Sequence, residues 1–457
     1  MMIRAGIAIT LLTAACGGGS TPPPDAVIDP RQTVVEVPVT ENRDLDLLFV
    51  IDDSGSMTDK QQNLRNNFPS FIDRLAMGQG GLPNLHLGVV TTDMGTKGSA
   101  SPSPAPPVGQ VGQGGCANDG KGGDLTVNGA AVTGTFLSDI RLPDATRSKN
   151  YTGDLATTFG QMASVGATGC GFEQPLAAMR AALDNNPANA GFLRPDALLA
   201  VVFLADEDDC SVKDPAFFGP ESGSLGPLQS FRCTRFGVTC ANGGATPDAM
   251  NQLGPKDQCT ASTSSTLLDD VAPYRDFLVG LKGDPRKVIV GGILGATEPV
   301  VTELRAINGT QAVSLAHSCT YQGPSGIEVG DPAIRLQSFL DLFPDRATIS
   351  TICQPDLSGA LDAIGQLVAT TIGSPCVNAP LTDAAPGTPG LQPDCIVEDL
   401  VGARVTAIEP CEVAEPTCWE LVPDAAACPS FDNLKLVVVR SDTPDPATVT
   451  RMRCVVR

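Results

Sequence analysis

The strongest chemical signal in this 457-residue chain is Asp52-Asp53-Ser54-Gly55-Ser56, set directly behind the apolar run Leu47-Leu48-Phe49-Val50-Ile51. One carboxylate and two hydroxyls on alternate residues of a tight, glycine-containing turn can converge on a hard cation that takes oxygen ligands. A loop leaving the carboxyl end of a buried parallel strand is also where open α/β sheets hold ligands. Two later segments offer the same kind of donor. Thr168 lies in Gly166-Ala167-Thr168-Gly169-Cys170-Gly171, ahead of an amphipathic stretch, and Asp206 heads the acidic run Asp206-Glu207-Asp208-Asp209 behind apolar residues 197–205. Each has an ordinary explanation by itself: a Ser-rich turn, a residue at a helix N-terminus, a solvated acidic loop. What points to one cation site is that each falls at the carboxyl end of a predicted strand or in the loop that follows.

The elements that must position these residues are legible as alternating periods. Residues 47–51 are continuously apolar, as a strand covered on both faces should be. From Thr58 a capping-box pattern with Gln61 opens a helix carrying Leu64, Phe68, Phe71, Ile72 and Leu75 on one face, and Pro69 should kink or end it. A strand is predicted over 85–92. The Pro/Gly-rich residues 94–150 then read as a surface insertion with a hairpin at Asn128-Gly129. Helices at 154–163 and 173–183 lead to a strand at 197–205, and residues 207–265 form a second insertion. A helix at 267–281, a strand at 287–294, a short helix at 299–307, a weak strand at 312–316, a helix at 333–342, a strand at 347–352 and a helix at 357–372 complete the pattern. This predicts an α/β domain over residues 44–373, built on a doubly wound, mainly parallel six-stranded sheet. Beyond it, residues 374–457 hold six cysteines and one clear apolar strand at 434–439, which predicts a small Cys-rich, β-rich C-terminal domain.

The D-x-S-x-S turn, the later Thr-Gly loop and the later Asp behind a hydrophobic strand together resemble the von Willebrand factor A (vWA) family. The resemblance spans about residues 44–373. It implies a metal-ion-dependent adhesion site in which Asp52, Ser54, Ser56, Thr168 and Asp206 hold Mg²⁺, or alternatively Mn²⁺ or Ca²⁺. It also implies an open coordination position filled by a carboxylate of a protein partner, hence metal-dependent interaction or adhesion. The family's third loop reads Thr-Asp-Gly where this chain has Ala205-Asp206-Glu207, so Glu207, Asp208 and Asp209 stay open as alternatives to Asp206.

At the N-terminus, Arg4 precedes the apolar residues 5–15, a run of signal-peptide length and too short to span a bilayer. Leu12-Thr13-Ala14-Ala15-Cys16 resembles the bacterial lipobox, which implies lipidation of Cys16. Gly17 after the cysteine then fits outer-membrane sorting in a Gram-negative cell. An ordinary signal-peptidase site is the alternative, since Thr13 stands where the lipobox has Leu or Val. Residues 16–43, opening Gly17-Gly18-Gly19-Ser20-Thr21-Pro22-Pro23-Pro24 after the cysteine, read as a tether. Of 15 cysteines, 14 remain without Cys16, enough for seven disulfides, and none forms a CxxC pair. An oxidising compartment is expected and structural zinc is not. The predicted pairings are Cys116 with Cys170, bracing the proposed site, and Cys233 with Cys240.

A formal net charge of −21 excludes nucleic acid as a partner, because there is no basic stripe to replace phosphate counterions. Only two histidines, His86 and His317, are present, neither near a serine motif. With Gly-x-Ser-x-Gly and Walker loops also absent, the sequence predicts no enzyme. The rival reading is a structural envelope scaffold with a degenerate metal site.

Overall fold

The computed structural model describes residues 33–37, 43–76, 82–142, 144, 146–307, 309–372, 377, 379–402, 404–411, 417–423, 432–440 and 448–457. Cys16, the leader and most of the proposed tether lie outside the described residues.

The main sheet runs in the order β14 (Ala347–Thr351), β9 (Val288–Leu294), β6 (Leu198–Ala205), β2 (Asp44–Ile51), β3 (Asn84–Thr91), β4 (Leu137–Arg141), β5 (Arg147–Lys149). The first five strands are mutually parallel, and β4 and β5 are antiparallel. The sheet thus has seven strands, not the six predicted. Two of them come from residues 94–150: β4 pairs with Leu85, His86 and Leu87 and covers an edge that β3 would otherwise leave open. Asn128 and Gly129 do form a turn, with φ of 43° and 75°, but the paired hairpin lies at β4 and β5.

Period-2 alternation in β2 sends Leu45, Leu47, Phe49 and Ile51 to one face, against α1 (Thr58–Ala76), α2 (Leu155–Met162) and α8 (Ser358–Ile372). Leu48 and Val50 face α3 (Pro175–Leu183), α6 (Ala272–Lys282) and α7 (Ile334–Leu340) on the other. The ring of Phe49 lies 5.8, 6.1 and 4.7 Å from those of Phe68, Phe71 and Phe159. Each such side chain contributes about 1.5–3 kcal/mol when fully buried. That explains why α1 continues through Pro69: burial of Leu64, Phe68, Phe71 and Leu75 along one face outweighs the roughly 3 kcal/mol penalty of an interior proline.

Strands β8 (Gly254–Ala261) and β7 (Val238–Asn242) of the second insertion join β10 (Val300–Ile307) and β11 (Thr310–Leu315), which follow β9 in the chain, in a separate antiparallel sheet of order β11, β10, β8, β7. Residues 299–307, predicted as a short helix, are therefore strand β10. The β-branched Val300, Val301 and Thr302 favour that geometry, and Gly309 (φ 81°) turns the chain back into β11. Val300 and Leu315 pack with Phe231 of α4 (Phe231–Gly237) and Met250 of α5 (Pro247–Met250). A further hairpin, β12 (Cys319–Gln322) with β13 (Ile327–Gly330), has no counterpart in the sequence reading.

The C-terminal sheet has the order β1 (Thr33–Val37), β19 (Val449–Val456), β15 (Cys395–Val401), β16 (Arg404–Pro410), β17 (Cys418–Pro423), β18 (Leu434–Val439). Strand β1 lies inside residues 16–43, read as tether, yet its backbone pairs with β19 from Thr33 opposite Val456 to Val37 opposite Met452.

Cys116–Cys170 is bonded as expected. The Cys233 to Cys240 pairing is replaced by Cys210–Cys233 and Cys240–Cys259, because strand register sets Cys240 directly opposite Cys259. Cys319–Cys353, Cys395–Cys454 and Cys411–Cys418 are also bonded. Cys376 and Cys428 lie outside the described residues.

Beneath the sheet's carboxyl edge, the fully buried Arg335 guanidinium sits 2.9 Å from Asp209 Oδ2 and donates to the carbonyls of Asp209 and Asp269. Arg335→Ala strands the Asp209 charge, so denaturant unfolding should show a loss of about 3–5 kcal/mol.

Candidate metal centre

The site is assembled by hydrogen bonds between loops. Asp52 leaves β2 with its N–H donated to the carbonyl of Leu204 in the neighbouring β6, at 3.0 Å. Its Oδ1 accepts from the Ser54 N–H at 2.7 Å, while its Oδ2 is buried with no hydrogen-bond partner. The Ser54 and Ser56 hydroxyl oxygens stand 3.3 Å apart, Ser54 buried and Ser56 exposed. Gln61 of α1 then ties two loops together, its Nε2 donating to the carbonyls of Asp52 (2.9 Å) and Gly166 (2.7 Å).

The Thr168 loop docks on the same turn. Gly169 donates its N–H to the Asp53 carbonyl at 2.8 Å, and a Cβ at Gly169 would sit 2.3 Å from Asp53 Oδ1, so only glycine permits this approach. The Cys116–Cys170 bridge and the Gly171 N–H to Gly114 carbonyl bond fix the loop's far end to the first insertion. Thr168 itself is exposed. Asp206, at the end of β6, is 2% exposed. Its Oδ2 lies 2.9 Å from the Lys60 ammonium and its Oδ1 is buried without a partner. The structure thus gathers Asp52, Ser54 and Ser56 in one turn, lays the Thr168 loop against that turn and sets Asp206 at the end of the adjacent strand.

The other acids of the third loop have different employment. Asp208 accepts the backbone N–H groups of Arg335 and Leu336 at the start of α7. Asp209 holds the Arg335 guanidinium, the Ser211 hydroxyl and the Leu176 N–H. Glu207 is half-buried, and desolvation, followed by the charges of Asp331 and Asp206, pushes its carboxyl up to about 8.

Sequence reasoning missed two members of this cluster. Glu173, read only as the opening of a helix, is a buried carboxylate whose Oε1 has no partner. Its position just before Pro175, where α3 begins, is the signal that was available. Lys60 gave no signal, because a lysine in the first turn of an amphipathic helix reads as solvated. Instead it is 1% exposed, 2.9 Å from Asp206, 2.7 Å from Glu328 of β13 and 3.0 Å from the Ser56 carbonyl.

Burial, then the neighbouring charge of Asp206, holds the Asp52 carboxyl well above the usual carboxylate range. Burial does the same to Glu173, helped by Glu207, Asp52 and Asp206. Burial opposes the Lys60 charge, but Asp206 and Glu328 outweigh it and raise that amine. Among the described residues no three His, Cys, Asp or Glu side chains converge closely enough to hold a metal by themselves. What the turn offers is a mixed set, two carboxylates with orphaned buried oxygens and serine hydroxyls beside one of them. That donor chemistry fits a hard, oxygen-seeking dication.

No family model matches the chain, and no curated protein matches it. Similar solved structures include a von Willebrand factor type A protein from Catenulispora acidiphila, with 11% identity and a TM-score of 0.27 over 90% of this chain and 57% of that one. A pilus adhesin from Streptococcus pneumoniae shows 12% identity and a TM-score of 0.31 over 93% of this chain and 57% of that one. A pilus adhesin from Lactobacillus rhamnosus GG shows 10% identity and a TM-score of 0.25 over 92% and 39%. The chain spans less than two thirds of the length of each. The domain's own strand order is a doubly wound, mainly parallel sheet with oxygen-bearing loops at its carboxyl edge.

Proposed function

We propose that this chain is a cell-envelope interaction protein that binds one divalent cation through Asp52, Ser54, Ser56, Thr168 and Asp206 and uses it to capture a partner protein. The single observation that carries the reading is the pair of buried, unpartnered oxygens, Asp52 Oδ2 and Asp206 Oδ1, at the ends of adjacent parallel strands. A buried polar atom without a partner costs about 1–3 kcal/mol, more when charged, and recurs where a ligand is meant to satisfy it. Mg²⁺ suits the site best, with Mn²⁺ or Ca²⁺ as alternatives, and would supply a Lewis-acidic position for a carboxylate oxygen of the partner. The residues' own part is to hold the donors in place: Gln61 and Gly169 lock the loops, and Ser54 orients Asp52. With a net charge of −21, the chain repels an acidic partner at long range. Screening beyond about 8 Å at physiological salt leaves coordination to decide at contact. Lipidation at Cys16 and an outer-membrane location, on the periplasmic or the surface side, complete the proposal.

The scaffold reading has one observation in its favour, the Lys60 ammonium already resting on Asp206. Calorimetry separates the two. The cation reading expects Mg²⁺ or Mn²⁺ binding that Asp52→Ala abolishes, whereas equal affinity in both proteins, or none in either, defeats it. In thermal unfolding, Mg²⁺ at 100 times its Kd should add ~2.7 kcal/mol, or about 5 °C in Tm, to the wild type and nothing to Asp52→Ala.

The acidic cluster also sets a pH dependence for the metal-free protein. A carboxyl raised in the folded state stabilises fully below its unfolded pKa, and that stability is lost as pH rises through the folded value. For Glu207, raised to about 8, the loss runs from about pH 4.5 to 8. In EDTA, Glu207→Gln should therefore flatten the decline of Tm across that window, and a slope equal to wild type would show that Glu207 ionises freely.

A further inference from the structure

Hairpin β12–β13 enters the chain far from the ligand-bearing loops, yet it closes one side of the site. Its Ser325 donates both N–H and hydroxyl to the Asp59 carboxylate at 2.9 Å, its Glu328 meets the Lys60 ammonium at 2.7 Å, and the Cys319–Cys353 bridge holds its base to the end of β14. Just past the hairpin, Asp331 donates its N–H to the Asp206 carbonyl at 2.8 Å. Lys60 Nζ is thereby surrounded by Asp206 Oδ2, Glu328 Oε2 and the Ser56 carbonyl, one acceptor for each of its three N–H groups. A buried ammonium so saturated is a fixed charge and does not swing away.

We infer that Lys60 and Glu328 act as an opposed pair that sets the strength of cation binding at Asp206; this rests on the reading that a dication engages that carboxylate. Lys60 places a positive charge on one oxygen of the carboxylate whose other oxygen is free, so it opposes the arrival of a second cation there. Glu328 cancels part of that charge from the far side. The hairpin is in this way a component of the cation site, although it contributes no ligand. At the effective dielectric of a protein interior, a unit charge a few ångströms away shifts a binding equilibrium by about tenfold or more. The site is then weaker than its carboxylates alone would make it, and exchangeable with the surrounding medium.

The signs of two variants test this. Mg²⁺ titrated calorimetrically into the full chain should bind Lys60→Met at least about tenfold more tightly than wild type, and Glu328→Gln about three- to tenfold more weakly. Lys60→Arg keeps the charge and should stay near wild type. If Lys60 and Glu328 merely braced the loop, both removals would weaken binding together, and that result overturns the inference. So does unchanged affinity in a Lys60→Met protein whose circular dichroism matches wild type. Should Lys60→Met lose its fold, the neutral Lys60→Gln takes its place, with tighter Mg²⁺ binding expected and weaker or unchanged binding overturning the inference. Absence of Mg²⁺ binding in wild type and all three variants would instead sink the cation reading itself.

Discussion

Carboxylates crowded at one edge of a sheet organise this molecule. Around Asp206, the buried Asp52 and Glu173 and the half-buried Glu207 and Asp331 crowd the carboxyl edge of the parallel sheet, and desolvation with neighbouring like charge holds these four above the usual carboxylate range. Apolar contacts among five parallel strands and the helices on both faces supply the stability that tolerates such a cluster. Positive charge is scarce there: among the described residues, the buried Lys60 ammonium is the one that touches Asp206. Asp331 draws on His317 at 2.6 Å. The proposed dication is the simplest remedy for what remains, because one ion satisfies orphaned oxygens on two strands at once.

The insertions are part of that arrangement. The first sends Lys121 to pair with the buried Asp53 and bonds Cys116 to Cys170 beside Thr168. The second supplies Asp208 and Asp209, whose bonds to Arg335 and to the start of α7 orient the chain just past Asp206. The β12–β13 hairpin reaches back to Asp59 and Lys60. Every loop of the proposed site is therefore held by a segment outside the minimal sheet. That suits a site that must keep its shape when empty, since preorganisation lowers the cost of ordering at the moment of binding.

The C-terminal sheet shows the same economy on a smaller core. Val397, Leu436, Met452 and Trp419 form a modest apolar cluster, and the Cys395–Cys454 and Cys411–Cys418 bridges brace it, as a small β-rich unit with little core requires. Its outermost strand, β1, is drawn from the chain ahead of the α/β domain. Any anchor upstream of Thr33 would thus lead first into this sheet.

What the sequence determined by itself was whatever follows from local period and composition. The unbroken apolar run before Asp52 marked a central strand, the helical spacing of Leu64, Phe68 and Phe71 marked α1, and the order of the turn, the Thr-Gly loop and Asp206 marked three loops at the carboxyl edge of the sheet. Residues 299–307 misled because a short amphipathic stretch satisfies either period, and pairing with Thr310–Leu315 decided for strand. The extra strands β4 and β5 were hidden in Pro/Gly-rich sequence for a similar reason: an edge pairing of a few residues leaves no periodic trace. Only the tertiary structure decided that Asp208 and Asp209 of the third loop serve α7 and Arg335, and which cysteines meet. It alone placed Glu173, Lys60 and Glu328 in the cluster. Those outcomes depend on distances between residues up to 268 positions apart, and a sequence carries no such distances.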